Sequence, residues 1–134
     1  MKQILVSRSP KFGLALSLAL SLVLSLSSGS AFAQAVGDRV TAFWEADGLW
    51  YPGEIEFIDR EGIHVSFDDG DEAIVARNEV RRLNWRVGTR LECDWKSEGD
   101  YYPGRINTMR GESIDFVYDD GAREQLTVSR CRSS

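Results

Sequence analysis

Histidine and cysteine are nearly absent from this chain of 134 residues, which holds one His and two Cys. Zinc sites draw their ligands from clusters of both, and two Cys without His company do not make one. His64 falls on the strand face opposite Ile63, Val65 and Phe67, where solvent exposure is expected. Without a second His or an activated thiol, no nucleophile-base pair can be assembled, so the expectation is a protein that is not an enzyme. A nucleotide-binding glycine loop, a basic patch and an amphipathic helix are also missing, and no cofactor is expected. Positive charge is short as well, with 16 Lys and Arg against 21 Asp and Glu. A polyanion would meet repulsion before contact, which excludes nucleic acid as a partner.

What is present is said nearly twice. Shifted by 51 positions, Val36 through Arg81 lies on Val87 through Arg132 without a gap, about a third of the positions being identical. Tyr51-Pro52-Gly53 falls on Tyr102-Pro103-Gly104, Asp68-Asp69-Gly70 on Asp119-Asp120-Gly121, and Trp44 on Trp95. A repeat this long is a complete small unit. The expected division is a signal peptide over 1–33 and one repeat each over 34–83 and 84–134. Trp85 in the short connector is expected to pack against one or both repeats.

The signal is read from Lys2, Arg8 and Lys11, the apolar run Leu14 to Leu26, and the small-x-small site Ala31-Phe32-Ala33. The run is too short for a bilayer, which needs about 20 residues. No membrane span is expected in the mature chain, which starts at Gln34 and is periplasmic or secreted. Without the signal, 13 bases face 21 acids, net −8, and residues 35–83 hold 12 acids and five bases. Residues 84–134 are nearly neutral, with nine and eight. The first repeat is therefore the copy suited to cations. In an oxidising compartment Cys93 and Cys131 form a disulfide or remain two buried thiols; the alignment sets them on the apolar Ala42 and Val80.

Val40, Ala42 and Trp44 alternate with Arg39, Thr41 and Phe43, the period of a half-buried strand. Further strands are expected at Tyr51 to Ile58, Ile63 to Phe67, Glu72 to Val75 and Val80 to Leu83. Asp69-Gly70 supplies the tight turn between the third and fourth. The second copy follows through Leu91 to Trp95, Tyr102 to Met109, Ile114 to Tyr118, Ala122 to Leu126 and Val128 to Cys131. Five short strands per copy favour a small closed barrel, which removes exposed edges.

The string Val40 to Ile55, followed by Val65-Ser66-Phe67-Asp68-Asp69-Gly70, resembles the Tudor and Agenet modules. The resemblance covers both repeats and implies an all-β chain of two tandem five-stranded SH3-like (Tudor-like) barrels. Several Tudor domains hold methylated Lys or Arg in an aromatic cage. The matching residues are Trp44, Tyr51 and Phe67 in the first repeat and Trp95, Tyr102 and Tyr118 in the second, with Asp69 and Asp120 as nearby carboxylates. A cation over such rings gains about 0.5–2 kcal/mol. The pattern's fourth aromatic, just past the hairpin, is replaced by Asp71 to Ala73 and Ala122 to Glu124, so each cage is three-sided.

Two readings of these rings stand side by side. In one, the protein is an exported binding module for a protein or peptide bearing cationic groups. In the other, it is a structural envelope protein that mediates assembly, and the rings pack. Exposure of Trp44, Tyr51 and Phe67 separates them. The hairpin Asp68-Asp69-Gly70-Asp71-Glu72 reads as a solvated tip, with a calcium loop as the lesser alternative; its spacing is not that of an EF-hand, and no metal is expected. Arg81, Arg82, Arg86 and Arg90 are expected to pair with carboxylates between the repeats.

Overall fold

The structure, a computed structural model, describes residues 32–134. The signal peptide expected over 1–33 falls outside the described residues except for Phe32 and Ala33, and Phe32 packs against the first core. No helix of the described residues is long and apolar enough to cross a membrane.

The described chain is all-β, with ten strands and three short 3-10 turns. Strands β1 (Arg39–Trp44), β2 (Leu49–Ile58), β3 (Ile63–Phe67), β4 (Glu72–Val75) and β5 (Val80–Arg82) form one antiparallel sheet in the order β4-β3-β2-β1-β5. Strands β6 (Arg90–Asp94), β7 (Tyr101–Arg110), β8 (Ser113–Tyr118), β9 (Arg123–Thr127) and β10 (Cys131–Arg132) form a second, in the order β10-β6-β7-β8-β9. All five strands of the first sheet contribute to one core: Val40 and Ala42, Ile55, Ile63 with Val65 and Phe67, Val75, and Val80. A single sheet whose every strand reaches the same core has to curl around it. The second sheet encloses Leu91, Ile106, Ile114, Phe116, Leu126 and Val128 in the same way, and Trp85 packs against that core as expected.

The repeated Tyr-Pro-Gly has a steric cause. At Gly53 a Cβ would stand 2.6 Å from the Ser66 carbonyl oxygen, and at Gly104 2.3 Å from that of Val117. Only glycine lets β2 and β7 cross their neighbours this closely. Each long strand then carries a bulge, between Ile55 and Phe57 and between Ile106 and Thr108, which supplies further bend.

Cys93 and Cys131 lie directly opposite on β6 and β10 and are joined as a disulfide. Beyond it, Ser133 exchanges two backbone hydrogen bonds with Trp50 of β2, at 2.8 and 3.0 Å, so the end of the second sheet is sewn to the first. Arg39 completes the connection: its guanidinium holds Asp68 with two bonds of 2.6 Å and reaches Glu112 of the second repeat at 2.6 Å.

Several expectations change. Val128–Arg130 is a 3-10 turn, leaving β10 only two residues long. Trp95 sits in a 3-10 turn (Trp95–Ser97) past the end of β6. His64 is half-buried rather than freely exposed: its side chain keeps 17% of its surface, and Phe57, across from it on β2, stacks on the ring at 3.7 Å. Arg81 and Arg82 stack on Trp50 and Phe32 instead of bridging the repeats, and Arg90 pairs with Asp119 of its own repeat.

Candidate functional site

The end of β1, the start of β2 and the β3–β4 hairpin converge at one end of the first sheet. They bring Trp44, Tyr51, Phe67 and Asp69 around a cavity of about 200 Å³. Two further carboxylates line it, Asp47 from the β1–β2 turn and Asp71 from the hairpin. The last wall comes from the other repeat: Tyr101, the first residue of β7. Asp71, at the place of the absent fourth aromatic, lines the cavity itself, and the fourth ring comes from outside the first repeat.

The walls are held firmly. Trp44 meets Phe67 edge to face, with ring centroids 5.5 Å apart, and Phe67 is only 4% exposed. Phe67 is therefore chiefly core and offers the cavity an edge, whereas Trp44 and Tyr51 are half-buried. The Tyr51 hydroxyl donates to Asp47 Oδ2 at 2.5 Å and accepts from Arg132 Nη1 at 3.0 Å. Burial, then the bond to Asp47, push the Tyr51 phenol up to about 12, while Arg132 pulls the other way. The same guanidinium stacks on Tyr101 at 4.0 Å and pairs with Glu92 at 3.1 Å. At the hairpin, Asp69 Oδ1 accepts the Asp71 N–H at 3.0 Å, which shapes the tip.

In the second repeat Trp95, Tyr102, Tyr118 and Asp120 also meet, around a cavity of about 340 Å³. Its character differs. Tyr118 is 3% exposed, packs edge to face on Trp95 and Phe116, and donates its hydroxyl to Glu124 Oε2 at 2.9 Å. Tyr102 is half exposed, and Asp120 Oδ1 accepts the Ala122 N–H. Lys96 places its ammonium 5.1 Å from the Trp95 ring. The matching position in the first repeat is Glu45.

Tyr101 was not singled out by the sequence. Its only signal is the doubled Tyr101-Tyr102, which aligns with Trp50-Tyr51. The aligned residues serve different ends, since Trp50 is buried under Arg81 while Tyr101 reaches the neighbouring repeat's cavity.

Elsewhere among the described residues, Asp59, Glu61 and His64 gather ligand atoms within 4.8 Å. Asp59 Oδ1 caps the turn through the Glu61 and Gly62 N–H groups, and Oδ2 meets His64 Nε2 at 3.1 Å. This carboxylate is committed to the turn. A broader concavity of about 720 Å³ along β7, β8 and β9 has no aromatic ring in its lining.

No family profile matches the chain, and no curated protein matches it. Among solved structures, "Crystal structure of Arabidopsis thaliana AGDP1 AGD34" is similar at 12% identity and a TM-score of 0.38. The match covers 75% of this chain and 82% of that one. A likeness this loose carries no argument about function.

Proposed function

We propose that this protein is a non-enzymatic binding module whose first repeat takes a cationic side chain of a protein or peptide partner. The ammonium or guanidinium enters among Trp44, Tyr51, Phe67 and Tyr101, and Asp47, Asp69 and Asp71 balance its charge. The observation that carries the proposal is the contrast in lining charge: among the described residues three carboxylates and no Lys or Arg line the first cavity, whereas Asp120 alone lines the second. Rings alone would supply about 0.5–2 kcal/mol to such a guest, and nearby carboxylates add to it in a partly dry site. Burial of Phe67 and Tyr118 favours packing for those two rings, which leaves Trp44, Tyr51 and Tyr101 as the contact surface. Export belongs to the same proposal. The Cys93–Cys131 bond is of the kind that persists in the periplasm or outside the cell.

Titration of the mature protein with n-butylammonium and with N-acetyl-lysine methylamide, followed by NMR, tests this reading. The expected response is movement of the Trp44 indole and Tyr101 resonances before any in the second cavity. It should weaken with salt, since exposed charges are screened over about 10 Å at 0.1 M. An unchanged spectrum at millimolar ligand would leave the rings as packing.

A further inference from the structure

The two repeats differ at one seam, where the last strand before the final 3-10 turn faces the end of the first strand. In the second repeat this seam is zipped by Glu124. Its carboxylate accepts from the Lys96 backbone N–H at 3.2 Å, from Arg130 Nη2 at 2.7 Å and from the Tyr118 hydroxyl at 2.9 Å. Arg130 Nη2 also donates to the Asp94 carbonyl, tying β9 to β6.

Every side chain of that zipper is replaced in the first repeat. Glu124 corresponds to Ala73, Arg130 to Glu79 and Tyr118 to Phe67, while Lys96, which joins the zipper only through its backbone, corresponds to Glu45. The seam is open there, as a groove of about 420 Å³ whose walls include Phe43, Trp44, Ala73 and Ile74. Glu45 and Glu79 line it, and no Lys or Arg does so among the described residues.

The groove also borders a strand edge. β4 ends its sheet and has one neighbour, β3, among the described residues. The Phe67 N–H donates to the Asp71 carbonyl, and antiparallel ladders alternate. The pairs bonded to β3 are therefore Val65 with Ala73 and Ile63 with Val75, and the backbone groups of Glu72 and Ile74 point away from β3. Ile74 is 52% exposed, an apolar side chain standing at an unpaired edge. Such an edge is a ready template for an added strand.

We propose that this seam takes an extended segment of a partner protein, whose backbone pairs with Glu72 and Ile74 and whose Arg or Lys occupies the place that Arg130 fills in the second repeat. The Phe43 carbonyl, the counterpart of that of Asp94, and the carboxylates of Glu45 and Glu79 receive the cation. Trp44 borders both this groove and the aromatic cavity. The seam stands on its own contrast between the repeats and does not depend on the cavity being occupied.

The test uses the mature protein and an acetylated, amidated hexapeptide of alternating Thr and Arg, with n-butylammonium as the separate probe of the cavity. The peptide should shift the Glu72 and Ile74 amides. The variant Ala73→Glu/Glu79→Arg rebuilds the zipper within the first repeat and should weaken the peptide at least tenfold while the n-butylammonium response at Trp44 and Tyr101 persists. Ile74→Lys, a change at an exposed position, should also weaken it severalfold. Backbone N-methylation of the peptide at alternate residues should abolish the amide shifts. Peptide shifts confined to the cavity, or peptide affinity indifferent to both variants, would overturn the seam and leave the cavity reading intact. Seam shifts without any n-butylammonium response would overturn the cavity alone.

Discussion

Arg132 Nη1 donates to the Tyr51 hydroxyl at 3.0 Å although 81 positions separate the two residues. The bond crosses from the last strand of the second repeat to the second strand of the first, and the same guanidinium lies on Tyr101. The second repeat thus both positions one wall of the cavity and supplies another.

This placement raises the titration of Tyr51, as burial also raises those of Tyr101 and Tyr118. The Tyr51 phenol is raised from 10.0 to about 12, by burial and then by the bond to Asp47, so the native state favours the neutral form. The associated stability is present below pH 10 and is lost as pH rises toward 12. Ultraviolet titration should show late-ionising tyrosines, one fewer in Tyr51→Phe than in the parent. Asp47→Asn should lower the Tyr51 midpoint and Arg132→Gln should raise it. A Tyr51 that ionises with exposed phenols would contradict the hydroxyl's two bonds.

Cavity rings and core residues should separate in mutagenesis. Tyr101→Ala and Trp44→Ala should each weaken n-butylammonium or a lysine peptide by about 2- to 30-fold, the cation–π range expressed as affinity. Ile55, fully buried in the first core, should behave in the opposite way, with Ile55→Ala costing about 2–5 kcal/mol of stability. Chemical denaturation alongside ligand titration distinguishes the two. If Trp44→Ala unfolds the protein as severely as Ile55→Ala, that ring is packing.

The second repeat's zipper predicts acid sensitivity. Burial opposes ionisation of Glu124, but bonds from Arg130, Tyr118 and the Lys96 backbone hold its carboxyl below the ordinary 4.5. A depressed folded value means the contribution is complete above pH 4.5 and is lost as pH falls further through that value. Thermal melts between pH 6 and 3 should show Glu124→Gln less stable at pH 6 and less sensitive to acid than the parent. Parallel curves would contradict the zipper.

Reduction of Cys93–Cys131 should cost about 3–4 kcal/mol in the chain-entropy view of a loop of roughly 40 residues. The loss should fall first on the second repeat, whose two-residue β10 the bond pins to β6. Hydrogen exchange under reducing conditions should show β6 and β10 opening before β1 and β2. Uniform loss across both sheets would contradict that local role.

The strands were legible because their causes are local. Alternation marked β1 and β3, Asp-Gly marked the hairpins, and the doubled Tyr-Pro-Gly marked close strand crossings that only glycine tolerates. The paired replacement of Ala42 and Val80 by Cys93 and Cys131 pointed to their contact. Val128–Arg130 misled because an apolar residue beside polar ones suits a strand as well as a 3-10 turn. The candidate site was legible only in part. Trp44, Tyr51 and Asp69 lie where the pattern sets them, but burial of Phe67 and Tyr118 depends on the core beneath them. Tyr101 and Arg132 reach the cavity through the joining of two sheets, fixed by Trp50 and Ser133, which no periodicity encodes.

The measurement closest to the central claim is a set of intermolecular nuclear Overhauser contacts between the N-methyl protons of a monomethyl-lysine peptide and the rings of the protein. The account predicts contacts to Trp44, Tyr51 and Tyr101 together, with those to Trp95 and Tyr102 absent or appearing only at higher peptide concentration. Contacts to the second cavity first, or to none of these rings while the peptide is bound, would contradict it.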